Sequence, residues 1–198
     1  MIEPFGNLQD GRRVEAVTLG TPGGLQAQIL TYGGILRRLT WPVRGVAADL
    51  VLSLPDLEAY VRDPAFLGIL VGRFANRIAG ARFELDGQTY RITANEGPNQ
   101  LHGGQLGFGK RLWKVLDLQP PRRLVLGYTS PDGEEGYPGI LAVSAEFIVE
   151  SDGLRLRFQA RCDRATPLNL TWHPYFDLPG EQVLRIPASH FLPVRDAQ

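Results

Sequence analysis

A single cysteine, Cys162, stands among 198 residues. It can close no internal disulfide, and no second Cys and no His lies near it at metal-ligand spacing, so a buried, inert thiol in the strand-like run GLRLRFQARC is expected. An excess of charge is also lacking, because 21 Lys and Arg balance 21 Asp and Glu with no block of one sign. That argues against nucleic acid or an anionic membrane as partner and in favour of a small neutral ligand. No stretch approaches the roughly 18 apolar residues of a membrane helix. The opening MIEPFGNLQD has neither a basic start nor an apolar run, so a cytoplasmic protein is expected.

What is abundant is turn chemistry. Twenty-three Gly and fifteen Pro punctuate short alternating or β-branched segments, the pattern of an all-β chain. RRVEAVTL, GLQAQILTYGG and ADLVLSL read as early strands. ARFELDGQTYRIT reads as a hairpin turning at Asp86-Gly87. LAVSAEFIVESDGLRLRFQARC repeats the device at Asp152-Gly153, with Val143, Ala145, Phe147 and Val149 facing Leu154, Leu156, Phe158 and Ala160. SLPDLEAYVRD is the one helix-like stretch, with Ser53 as a cap and Leu57, Tyr60 and Val61 at helical spacing. With 43% apolar residues and no repeat, linker or composition shift, residues 1–198 form a single domain in this reading, a large antiparallel β-sandwich. The far end, VLRIPASHFLPVRDAQ, is strand-like and leaves Phe191, Leu192 and Val194 in want of a partner. The sandwich therefore reads as incomplete at its C-terminus.

Three stretches set polar residues among glycines: VGRFANRIAGARF, ANEGPNQLHGGQLGFGKRLW and LNLTWHPYFDLPG. Each adjoins a strand, so their side chains can meet in a shared cleft. In the second, Gly97, Gly103 and Gly104 permit backbone angles that other residues resist and Pro98 stiffens the approach, so that His102 is presented from a tight turn.

Over GRFANRIAGARFELDGQTYRITANEGPNQLHGGQLGFGKRLWKV, SPDGEEGYPG and LNLTWHPYFDLPG the chain resembles the aldose 1-epimerase family, the galactose mutarotases, in matching order from about residue 20 to residue 195. The resemblance implies a galactose mutarotase-like sandwich with a carbohydrate cleft, no cofactor and no metal. It also implies interconversion of the α and β anomers of free hexoses such as glucose and galactose. Carried over residue by residue, it makes Asn76 and Arg77 contacts to sugar hydroxyls and gives His102 a bond near the reacting oxygen. It makes His173 the proton donor to the ring oxygen. Tyr175 falls on the same strand face as His173 by period-two alternation and can line the site. The two imidazoles are expected to converge with a pyranose between them, beside the Arg77 guanidinium.

Mutarotation opens the bond between the anomeric carbon and the ring oxygen, lets the aldehyde rotate and closes the ring on the other face. One group takes a proton from the anomeric hydroxyl and another gives one to the ring oxygen. An imidazole, with an ordinary pKa of about 6.5, suits proton donation near neutral pH, and a guanidinium orients hydroxyls without exchanging protons.

Plainer roles stand beside these. Arg77 has an alternative partner in Glu96, and Asn95 and Asn99 read as turn residues. Trp113, Trp172 and Phe176 read as core and His190 as a surface histidine. Asp132, Glu134 and Glu135 either meet a ligand or form an acidic strand connection. The family's general base, a glutamate, and a hydroxyl-holding aspartate are expected beyond residue 198, with Glu134, Glu135 and Asp177 as weakly supported substitutes. Two further readings follow: a carbohydrate-binding module without turnover, and a hexose-6-phosphate 1-epimerase using Lys110, Arg111, Arg37 and Arg38. The expected partner is a small sugar, and the expected state a monomer or homodimer.

Overall fold

A computed structural model describes residues 1–43, 45–178 and 180–191. The first sheet is a five-stranded antiparallel meander of β1 (Ile2–Asn7), β2 (Arg13–Gly20), β3 (Gln26–Leu30), β4 (Leu36–Val43) and β5 (Val46–Asp49). After the short helix α1 (Leu57–Arg62) come β6 (Leu70–Val71), β7 (Arg77–Ile78), β8 (Arg82–Leu85), β9 (Gln88–Arg91) and β10 (Gln100–Leu101). A four-stranded meander follows: β11 (Lys114–Gln119), β12 (Arg123–Ser130), β13 (Leu141–Val149) and β14 (Leu154–Cys162). β15 (Thr171–Trp172) then returns to pair with β6. No helix among the described residues is long and apolar enough to cross a membrane.

The two meanders share one core. Val17, Leu19, Ala27, Ile29 and Leu36 of the first pack with Leu124, Leu126, Leu141, Val143, Ala145 and Phe147 of the second, with Leu70, Phe108 and Trp113 among them. Each large apolar side chain buried this way contributes about 1.5–3 kcal/mol, which is why alternation along the strands dictates the sandwich.

Both sequence-read hairpins form. β8 and β9 join at Asp86 and Gly87 with φ of 51° and 74°, the left-handed pair that a two-residue turn requires. β13 and β14 pair Val143 with Ala160, Ala145 with Phe158, Phe147 with Leu156 and Val149 with Leu154. Their turn takes four residues, closed by the Glu150 N–H on the Gly153 carbonyl at 2.8 Å. On the other face a row of alternating charge crosses the sheet, Asp117 to Arg123 to Glu146 to Arg157, with Arg123 to Glu146 at 2.5 Å and Glu146 to Arg157 at 3.4 Å.

Several local expectations are corrected. Only an isolated bridge at Val51 stands in LVLSL, the strand having ended at Asp49. α1 is capped by Asp56, whose carboxylate accepts from the Ala59 N–H at 2.9 Å. Asp56 rather than Ser53 lies immediately before the first helical residue, where a cap must sit. Leu57 and Tyr60 are buried but Val61 is exposed, since six residues present only a narrow apolar stripe. Cys162 is half-buried, because it ends β14, which among the described residues pairs only with β13. Phe176 is exposed rather than core. Residues 181–191 form no strand, and Val183, Leu184, Ile186 and Phe191 are largely exposed; Leu192 and Val194 lie outside the described residues.

Arg73, which the sequence did not mark out, is 2% exposed. Its guanidinium donates to the Ser130 hydroxyl (2.9 Å) and to the carbonyls of Ser130 (3.1 Å), Pro131 (2.8 Å), Pro138 (2.9 Å) and Gly139 (2.8 Å). These contacts fasten the loop between β12 and β13 to the segment that leads into β7. Arg73→Met should lower stability by about 3 kcal/mol or more, because several buried carbonyls lose a charged donor at once. A denaturant midpoint equal to that of the parent chain would show that the carbonyls find other partners.

Candidate functional site

Four short strands, in two pairs, bring the glycine-flanked segments together. β10 pairs antiparallel with β7, setting Leu101 opposite Arg77; His102 is the next residue after β10, and Asn76 the one before β7. β15 pairs with β6 and is followed by His173, whose backbone N–H donates to the Ile69 carbonyl (3.0 Å) while its carbonyl accepts from the Gly68 N–H (2.8 Å). Asn169 joins the two pairs. Its N–H donates to the Arg73 carbonyl at 2.9 Å, its carbonyl accepts from the Ala75 N–H at 2.8 Å, and its Nδ2 donates to the Ala75 carbonyl at 3.1 Å.

The result is an aromatic cluster at the strand ends. His102 and His173 meet edge to face with ring centroids 5.2 Å apart. Tyr175 lies 5.2 Å from His173, and its hydroxyl donates to the Ala65 carbonyl at 2.9 Å. Phe66, which no sequence signal marked, stands 4.9 Å from His102 and 6.2 Å from His173. Rings in edge contact leave no room for a pyranose between them, so the expected sandwiching of a sugar is corrected. A shallow hollow of about 580 Å³ over β11–β14 shares no residue with this cluster.

The loop carrying His102 is braced on every side. Asn95 Oδ1 accepts from the Leu101 N–H at 2.7 Å, and its Nδ2 donates to the carbonyls of Leu101 (3.0 Å) and Gly104 (3.1 Å). Asn99 Oδ1 accepts from the Gly80 N–H at 3.0 Å. The Glu135 carboxylate accepts from the N–H groups of Gln105 (3.0 Å) and Leu106 (2.9 Å). Gly103 has φ +88°, and a Cβ there would stand 1.9 Å from the Gly72 carbonyl oxygen, so only glycine lets the loop approach so closely.

His102 Nδ1 accepts the backbone N–H of Asn76 at 3.0 Å, which places the proton of the neutral ring on Nε2. Burial lowers its pKa, and the neighbouring His173 and Arg77 reinforce the shift against the opposing pull of Glu96. The His173 ring makes no hydrogen bond among the described residues.

Arg77 pairs with Glu96 through two bonds of 2.6 Å each, from Nε and Nη2. Its hydrogen bond holds the Glu96 carboxyl below the usual range, hence ionised. Both side chains are exposed, and such a pair adds little to stability. Of the five guanidinium donors, those on Nη1 have no partner among the described residues. The Asn76 side chain is exposed, its Oδ1 accepting the Arg77 N–H at 2.9 Å.

The acidic connection serves the fold. Glu134 accepts from the Tyr128 hydroxyl at 2.6 Å and from Ser130, and pairs with Arg111 at 2.9 Å. Asp132 accepts from the Gly139 N–H at 2.5 Å. The cations considered for a phosphate are engaged elsewhere: Lys110 on the carbonyls of Tyr60, Val61 and Asp63 at the end of α1, Arg111 on Glu134, Arg37 on Gln28 and Arg38 on Asp49. Trp113 is buried and Trp172 packs on the core against Phe147, whereas His190 is exposed beside Ser189. Among the described residues no cluster of His, Cys, Asp and Glu could hold a metal.

Solved structures share this arrangement of sheets. The aldose epimerase homologue from C. elegans superposes with a TM-score of 0.79 at 33% identity, over 84% of this chain and 51% of that one. Galactose 1-epimerase from Lactobacillus acidophilus NCFM gives 0.79 at 27%, over 90% and 53%. The fold is therefore galactose mutarotase-like. The family profile described as Aldose 1-epimerase matches residues 15–198, and the chain belongs to that family. It is 35% identical to the aldose 1-epimerase of Escherichia coli (strain K12) over 93% of this chain and 56% of the relative, and 41% identical to the galactose mutarotase of Bos taurus over 86% and 52%. The chain thus spans about half the length of these curated relatives.

An NMR titration should place the His102 midpoint below the 6.5 or so of an unperturbed imidazole. The sign for stability follows. With the folded pKa depressed, the unfolded chain takes up a proton that folded His102 refuses, so stability falls as pH drops below about 6.5 and levels off below the folded value. A midpoint at or above the unperturbed value would show that burial does not dominate the titration of this ring.

Proposed function

We propose that the His102–His173 cluster is the acid side of a sugar site that interconverts the α and β anomers of free hexoses such as glucose or galactose. The observation that carries the reading is the contrast between two touching imidazoles. His102 has its Nδ1 occupied by a backbone donor and presents only an Nε2 proton, so it stabilises charge developing on the sugar oxygens. His173, with no partner for its ring among the described residues, delivers the proton to the ring oxygen as the ring opens. The free donors of Arg77 orient hydroxyls, and Tyr175 and Phe66 supply the apolar wall against which a pyranose face packs.

A second reading, a sugar-binding module without turnover, is favoured by one observation. Of the carboxylates described near the cluster, Glu96 is committed to Arg77 and Glu135 to backbone donors, and neither stands as a general base for the anomeric hydroxyl. The hexose-6-phosphate reading has no observation in its favour, since Lys110, Arg111, Arg37 and Arg38 each hold a partner within the chain.

Polarimetry of freshly dissolved α-galactose separates the two. Turnover predicts an accelerated approach to equilibrium that His173→Ala reduces by about 10²–10⁴-fold, while acceleration unchanged by that substitution removes His173 as the acid. Binding alone predicts that galactose shifts the ring C–H resonances of His102 and His173 with no acceleration. Neither acceleration nor shift would end both readings.

A further inference from the structure

We infer that Asn76 is a positioning residue that acts through its backbone, locking His102 into the neutral tautomer with its proton on Nε2. Asn76 has φ +70° and His102 φ +52°, so two non-glycine residues in the left-handed region face each other across the end of the β7–β10 pair. Two bonds close between them. The His102 backbone N–H donates to the Asn76 carbonyl at 3.1 Å, and the Asn76 backbone N–H donates to His102 Nδ1 at 3.0 Å. The second bond is the informative one. A backbone N–H only donates, so the nitrogen it meets must be unprotonated, and in a neutral imidazole the remaining proton is then on Nε2.

The left-handed turn at Asn76 is what points that N–H at the ring, since in the strand that begins at Arg77 alternate backbone groups turn to the partner strand instead. Asparagine reaches this conformation more readily than most residues, and its Oδ1 stabilises it by accepting the Arg77 N–H at 2.9 Å. The residue type is thus accounted for by local geometry without any contact from its carboxamide to a ligand. The consequence for chemistry rests on the proposed sugar site: His102 is a fixed hydrogen-bond donor there and cannot serve as a base, which leaves proton transfer to His173.

Long-range 15N–1H NMR of the His102 ring in the free chain reads the tautomer with no sugar present, so it stands or falls independently of the epimerase reading. The parent chain and Asn76→Gly, which keeps the left-handed conformation and loses the carboxamide, should both show the Nε2–H form. Asn76→Val, whose branched side chain resists positive φ, should show a mixture of the two tautomers. An Nδ1–H ring in the parent chain, or an unchanged ring in a folded Asn76→Val, overturns the proposal. If Asn76→Val does not fold, the first two spectra decide: Nε2–H in both sustains it, and loss of that form in Asn76→Gly overturns it by returning the role to the carboxamide. Galactose titration of Asn76→Gly then tests the sugar reading separately, since a retained tautomer with lost binding would make the carboxamide a ligand contact as well.

Discussion

A guanidinium that ends among backbone carbonyls instead of carboxylates governs much of this structure. Arg73 lies just before β7 and takes up the oxygen atoms that the loop from Ser130 to Gly139 turns inward. A loop of that kind has no sheet partner for its carbonyls, and buried without donors it would cost several hydrogen bonds. Burial lowers the Arg73 pKa, yet an arginine keeps its charge in a protein, with the acidic residues Asp132 and Glu134 close enough to offset it. Because Arg73 is three residues before Asn76, the same anchor sets where the site segment leaves the core.

Rigidity spreads outward from that anchor in backbone contacts. The Arg73 carbonyl holds Asn169, Asn169 holds Ala75, and the short pairs β6 with β15 and β7 with β10 deliver one histidine each. Glu135, on the loop that Arg73 fixes, reaches across to the N–H groups of Gln105 and Leu106 beyond His102. The site is thus built on strands of two residues, stable only because each is tied at both ends. What remains free is confined to side chains: the His173 ring, part of the Arg77 guanidinium, and the exposed edge of Tyr175.

Committed carboxylates are the other side of the same economy. Glu134 and Glu135 sit in an acidic, glycine-rich stretch that could equally have met a ligand, and both are instead used to hold loops. Glu96 is held by Arg77 at the surface, where the pair is exposed to water. Two imidazoles and a guanidinium thus stand together while the acids described beside them are paired.

Strand alternation, the left-handed Asp86-Gly87 turn and the balance of charge were legible in the residues alone, because period-two burial and a two-residue turn are local properties; the second hairpin turns over four residues, with neither Asp152 nor Gly153 at positive φ. The β13–β14 register followed pair by pair from which residues were apolar. The motifs around His102 and His173 marked the site for the same reason, each being a contiguous run. Tertiary structure decided the rest. That Phe66 completes the cluster, that Asn76 works on His102 across twenty-five intervening residues, and that Arg73 is a buried hub depend on contacts between segments distant in sequence. No window of neighbouring residues encodes those distances. Only the packing of the two sheets, which brings the segments within hydrogen-bonding reach, fixes them.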